Sequence, residues 1–228
     1  MKLSVIVPVY NEINTIARVI NDLTLVALKC EREIIVVDDG SNDGTREFLA
    51  DLKNPLVRAF FHEKNMGKTA GINTGLKNIT GDIVIIQDAD LEYPPLKNYN
   101  ILLEPILDGH ADVVYGSRFL GVHRVFFWWH YMANRFLTVL TNILFDTMLT
   151  DMETGAKAFT CKALEGITLT SQGFCFEPEV TAKVFKKGLR VYEVPITYYG
   201  RSYNEGKKIK PIDGVMAVIA LFKYRFSE

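Results

Sequence analysis

EIIVVDDGSNDGTREFL, residues Glu33–Leu49, reads as a strand, a polar turn and the start of a helix. Ile34–Val37 is an unbroken apolar run, the pattern of a strand covered on both faces. Asp38 and Asp39 follow at its carboxyl end. Ser41 or Asp43 can cap a helix that runs through Phe48 and Leu49.

The same order recurs on either side. Leu3–Val9 is a first strand, and a helix from Asn14 carries Ile16, Val19, Ile20 and Leu23 at helical spacing. Further strands are expected at Val57–His62, Asp82–Asp88 and Asp112–Ser117, with helices at Lys68–Lys77 and near Leu96–Leu107. Strand alternating with helix predicts an α/β fold: a mostly parallel sheet flanked by helices. Ligand sites in such sheets lie beyond the carboxyl ends of the strands. Tyr10-Asn11-Glu12, Asp38-Asp39, Asp88-Ala89-Asp90 and Ser117-Arg118 all fall there.

The second half is less regular. The aromatic run Val125–Trp129 precedes an amphipathic helix to about Phe145. A helix at Phe176–Lys187, a strand at Leu189–Pro195, a basic loop over 200–210 and a final amphipathic helix at Pro211–Phe226 complete the reading.

The chain has 228 residues, 48% of them hydrophobic, which suits one domain with a sizeable core. A net charge of −1 provides no general field for nucleic acid. Three cysteines without CxxC spacing favour reduced thiols over a disulfide framework or a zinc site. The N-terminal apolar run stops at Asn11, too short for a signal peptide. No stretch reaches the ~18 apolar residues expected of a spanning helix.

Asp88 and Asp90 need explaining because carboxylates are costly to bury uncompensated. Alternation along an extended strand would aim both at one point. Mg²⁺ or Mn²⁺ would neutralise them, being hard cations that take one or two carboxylates plus substrate phosphates. A turn at the strand end, punctuated by Pro94 and Pro95, is the bland alternative.

VIVPVYNE (Val5–Glu12), IVVDDGSNDGT (Ile35–Thr45), NMGKTAGINTG (Asn65–Gly75) and GDIVIIQDADLEYPP (Gly81–Pro95) together resemble the family 2 glycosyltransferases. The nucleotide-sugar-binding fold of that family is GT-A, a Rossmann-like single domain. YGSRF (Tyr115–Phe119), TDMETGAKAF (Thr150–Phe159), FEPEVTAKV (Phe176–Val184), EVPITYYGR (Glu193–Arg201) and EGKKI (Glu205–Ile209) are similar to the polyprenyl-phosphate sugar transferases, the type that includes dolichyl-phosphate mannose synthase. The resemblance covers nearly the whole chain. It implies one catalytic domain over 1–228, with residues 1–118 for the nucleotide sugar and 119–228 for the acceptor and the membrane.

The resemblance also implies roles. Pro8, Tyr10 and Glu12 would line the base and ribose pocket, and Asp39 would bond the base. Turn capping is the competing reading for Asp38 and Asp39. Lys68 suits phosphate or an acidic rim. Asp88 and Asp90 would face metal and diphosphate, with Glu92 as a third ligand. Asp90 and Arg118 are the catalytic candidates, Arg118 meeting phosphate. Arg135, Arg201, Lys207 and Lys208 would hold the acceptor phosphate, with Arg124 competing with Arg135. Glu177 and Glu179 read as helix N-terminal charges. Phe126–Trp129 read equally as core or as an interfacial anchor.

The expected activity is inverting transfer of a hexose from a GDP- or UDP-sugar to a dolichyl or undecaprenyl phosphate. The expected location is cytoplasmic, peripheral at the inner membrane face, with room for a separate membrane partner and no role for nucleic acid. A soluble saccharide acceptor and a non-catalytic nucleotide-sugar-binding module are the rival readings.

Overall fold

The computed structural model describes residues 1–125, 127–171, 173–201 and 211–227. The first half follows the expected alternation: β1 (Lys2–Val9), α1 (Ile16–Leu25), β2 (Glu31–Asp38), α2 (Thr45–Asp51), β3 (Val57–Phe61), α3 (Lys68–Leu76), β4 (Ile83–Ile86), α4 (Pro95–Leu107) and β5 (Val113–Ser117). The second half adds α5 (Trp128–Phe145), β6 (Lys157–Thr160), α6 (Cys161–Leu164), α7 (Phe176–Lys186), β7 (Val191–Pro195) and α8 (Pro211–Phe226).

Among the described residues the sheet has seven strands in the order β3-β2-β1-β4-β6-β5-β7. All pairings are parallel except those of β6, which runs antiparallel to both β4 and β5. β6 is absent from the sequence reading. Its four residues, KAFT, include a lysine and form no apolar run. Tertiary context overrides the weak local signal: Lys157 is buried and donates to the carbonyl of Met152.

The sheet buries both faces. Leu3, Val5, Val7 and Val9 point to one side, where they pack with α1 and α4 residues such as Ile16, Leu23, Tyr99 and Leu102. Val113, Tyr115 and Phe159 point to the other, against Leu137, Val180 and Leu221 of α5, α7 and α8. Edge strands β3 and β7 are only partly buried, unlike the interior strands.

Candidate functional site

The loops after β1 and β2 are laced together. Asn11 donates its amide to Ser41 Oγ at 2.9 Å and accepts from the Asn42 amide at 2.9 Å. The Glu12 amide donates to Thr45 Oγ1 at 3.1 Å. Ser41 is therefore a loop tie and not a helix cap. Asp43 is the residue that accepts from Thr45 N, at 3.0 Å, at the start of α2.

The two aspartates after β2 divide their work. Buried Asp38 accepts from the Ser41 amide and faces Arg46 at 3.3 Å, so it organises the turn. Asp39 reaches the other way. It accepts from the amides of Met66 (2.9 Å) and Gly67 (2.7 Å) and pairs with His62 Nδ1 at 2.7 Å. That carboxylate fixes the loop leading into α3. Gly40 makes room: its φ is +78°, and a Cβ there would lie 2.7 Å from the Lys64 carbonyl carbon.

Lys68 opens α3, and its Nζ lies 2.8 Å from Asp88 and 3.1 Å from Glu177. Burial opposes its charge, but those two carboxylates outweigh it and raise its pKa above the usual lysine value.

β4 ends at Ile86, before the aspartates, and Leu91 adopts φ 65°. Asp88 and Asp90 thus sit in a turn, and the strand alternation expected for them does not apply. They still line the same cleft. Arg201 reaches Asp90 at 2.7 Å and Glu92 at 3.3 Å. Glu92 also accepts from the Tyr198 hydroxyl at 3.0 Å. Burial, and then the charges of Asp88 and Glu92, push Asp90 up to about 7 against the pull of Arg201.

Arg118 follows β5. It forms a two-pronged bond to Asp151, with Nε–Oδ2 and Nη2–Oδ1 both 2.7 Å. Sequence reasoning set Arg118 against phosphate; here its fork is held by a buried carboxylate on the loop before β6. Arg135 on α5 donates to the Thr150 carbonyl at 3.0 Å, away from the cleft lining. Arg124 lies 3.5 Å from the Gly200 carbonyl. Lys207 and Lys208 fall outside the described residues.

The cleft has a volume of about 760 Å³, within the roughly 300–1,000 Å³ of small-molecule sites. Pro8, Tyr10, Glu12, Asp39, Lys68, Asp88, Asp90, Glu92, Arg118 and Arg201 all line it. So do Glu153 and Glu177, which sequence reasoning left out. Glu177 sits in the first turn of α7, where acidic residues are commonplace, and only its contact with Lys68 sets it apart. Glu153 and Asp151 come from an irregular loop with no periodic signal. The opposite wall is Trp129, His130, Ala133, Asn134 and Leu137 of α5 with Pro211, Asp213, Gly214 and Ala217 of α8.

A family model for Glycosyl transferase family 2 matches residues 4–168. The chain belongs to glycosyl transferase family 2. A dolichol-phosphate mannosyltransferase from Pyrococcus furiosus is 30% identical over 212 residues, 91% of this chain and 59% of that protein. The chain therefore spans little more than half of that relative's length. Glycosyltransferase AglJ of Haloferax volcanii is 29% identical over 226 residues, 96% of this chain and 70% of that one. A glucosyl-3-phosphoglycerate synthase from Mycobacterium tuberculosis, crystallised with Mn²⁺, UDP and phosphoglyceric acid, has the same fold. It superposes with a TM-score of 0.77 at 20% identity, covering 100% of this chain and 79% of that one.

The matched residues include the acidic turn after β4 and the loop network around Asp39. Among the described residues no helix is long and apolar enough to cross a membrane.

Proposed function

We propose that this glycosyltransferase moves a hexose from a nucleotide diphosphate sugar to a polyprenyl phosphate, with inversion at the anomeric carbon. The observation that carries the lipid acceptor is the far wall of the cleft. Leu137 and Ala217 face inward from α5 and α8, while the outer faces of both helices are apolar. Met132, Phe136, Val139 and Ile143 form an exposed stripe on α5, and Ile212, Val215, Ile219, Phe222 and Phe226 form one on α8. Both stripes keep helical spacing. Trp128 and Trp129, 63% and 80% exposed, stand at the start of α5. The core reading therefore fails for these two residues. Apolar helix faces with Trp and Phe suit the boundary of a bilayer, where a polyprenyl chain lies.

In this reading Pro8, Tyr10, Glu12 and Asp39 receive the nucleoside. The diphosphate lies towards Lys68, Asp88 and Asp90. Arg201 takes the acceptor phosphate, and Lys207 and Lys208 are further candidates for that task; Arg135 would first have to leave the Thr150 carbonyl to join them. Residues 1–118 supply most of the donor side and 119–228 the acceptor side, although β6 and β7 complete the sheet that both parts share.

Asp88 and Asp90 suit a hard divalent cation, Mg²⁺ or Mn²⁺. Their donors are oxygens, and their pairs with Lys68 and Arg201 show two carboxylates that attract cations. Among the described residues no three acidic, His or Cys side chains are grouped to hold a metal by themselves. Two carboxylates with diphosphate oxygens make the set such ions ordinarily take, and Glu92 is the further candidate ligand. Bound there, the ion would neutralise charge building on the departing diphosphate.

An oxygen of the lipid phosphate attacks the anomeric carbon as the bond from that carbon to the diphosphate breaks. Nucleoside diphosphate leaves with the bonding electrons. The attacking oxygen is already anionic near neutral pH, so no general base is required.

The test is a transfer assay with Mg²⁺ or Mn²⁺, polyprenyl phosphate and labelled GDP-mannose, UDP-glucose or UDP-N-acetylglucosamine in parallel. Metal-dependent label in the organic phase supports the reading. Label transferred only to a water-soluble acceptor, phosphoglyceric acid among those offered, overturns the lipid assignment. Donor binding without any transfer points to a binding module instead.

A further inference from the structure

Glu153 stands out in the cleft. Its Oε1 is buried and has no hydrogen-bond partner. Buried polar atoms in folded proteins are nearly always paired, so such an atom calls for an explanation. Nor is it spent on the nearby cations: Lys157 donates to the carbonyls of Met152 and Thr154, Arg118 to Asp151, and Lys68 to Asp88 and Glu177.

The position of Glu153 narrows what could satisfy it. It precedes Gly155, where a Cβ would come within 2.7 Å of Asp88 Oδ2. It therefore lies beside the end of the cleft assigned to the diphosphate. The same cleft is walled by α5 and α8, assigned to the acceptor. The group between a leaving diphosphate and an attacking phosphate is the hexose.

We propose that Glu153 recognises the donor hexose by hydrogen bonding to its ring hydroxyls, and so helps determine which sugar is accepted. The inference rests on the donor half of the proposed function and not on the identity of the acceptor. A phosphate would be repelled by the Glu177 charge beside it. A hydroxyl would not, since it both donates and accepts. Burial and the Glu177 charge push Glu153 up to about 8. With its charged form disfavoured, the carboxyl group can offer an O–H donor together with acceptor oxygens.

Glu153→Gln and Glu153→Ala test this by calorimetric titration in Mg²⁺. The ligands are GDP, UDP, GDP-mannose, UDP-glucose and UDP-N-acetylglucosamine. The natural protein should bind one sugar nucleotide more tightly than the matching nucleoside diphosphate. Glu153→Ala should weaken that sugar nucleotide at least tenfold and leave the nucleoside diphosphate within twofold. Glu153→Ala should melt at or above the natural temperature, because an unpaired buried group is removed, and Glu153→Gln, which keeps a polar group there, should melt close to it. A structural role would instead lower the melting temperature and leave the sugar's advantage intact, which overturns the proposal. So would a hexose that adds no affinity in the natural protein, or a loss shared equally by diphosphate and sugar nucleotide. Failure of the lipid assignment is a separate result, read as missing organic-phase product while the binding difference persists.

Discussion

The loops after β1, β2 and β4 and the helices α5 and α8 enclose one cleft by opposite means. On the strand side nearly every polar group is tied to another: Asn11 to Ser41 and Asn42, Asp39 to His62, Met66 and Gly67, Lys68 to Asp88. On the helix side the wall is a thin layer whose outer surface is apolar and exposed. A nucleotide diphosphate is rigidly charged and rewards a fixed set of polar partners. A polyprenyl chain has no such pattern and needs only an apolar boundary beside a phosphate. The difference is what a donor side and a lipid acceptor side should show, and it can be broken from either end.

The largest effect is expected at the acidic turn. Asp90→Ala should lower transfer by about 10²–10³-fold, the scale of losing one main electrostatic element of a transition state. Its circular dichroism and melting temperature should be unchanged. Near-normal turnover would remove Asp90 from the proposed metal site.

Asp39→Ala comes next. It leaves the part-buried Met66 and Gly67 amides without their acceptor, at a cost of about 0.5–1.5 kcal/mol for each lost hydrogen bond. Donor affinity should fall about 10–100-fold as the loop before α3 loosens. Equilibrium titration with the preferred sugar nucleotide measures it. Unchanged affinity would mean that the strand side is not organised by this carboxylate.

Ile219→Ser with Phe222→Ser attacks the other side. Burying such a side chain is worth about 1.5–3 kcal/mol, so binding to phospholipid vesicles should weaken tenfold or more. Donor titration should be untouched. Equal vesicle binding by the variant would leave the two sides without the contrast drawn here.

Much of the strand side was legible because its signals are local. Apolar runs ending in Asp39 or in Asp88 and Asp90 announce both the strand and the rim it feeds. The helix side hid its meaning. An amphipathic pattern shows that α5 and α8 have a buried face, but not that the opposite face is also apolar and remains exposed. β6 was missed because it is four residues long, opens on Lys157, and owes its burial to its neighbours. Arg118 was recognisable as a rim arginine, yet its partner Asp151 lies 33 residues away on a loop without period. Glu153 lies inside the quoted TDMETGAKAF stretch, but nothing in its pattern singled out that residue. Only its orphaned oxygen inside the folded cleft distinguishes it.

The smallest effect concerns the floor beneath the strand side, far from the chemistry. Glu33, near the start of β2, accepts from Ser4 Oγ at 2.6 Å and from the Thr80 amide at 2.6 Å, with Lys2 at 3.3 Å. Burial pushes its pKa up, but these hydrogen bonds outweigh burial and hold it at about 2, against an ordinary value of 4.5. A folded-state pKa below the unfolded one means that the unfolded chain binds the proton first as pH falls. The stability contributed by Glu33 is therefore full above about 4.5 and drains away between about 4.5 and about 2. Urea unfolding across that range should show a steeper acid loss for the natural protein than for Glu33→Gln, with donor binding at neutral pH the same in both. Parallel acid curves would show that the network at the amino ends of β1 and β2 does not hold the sheet through this charge.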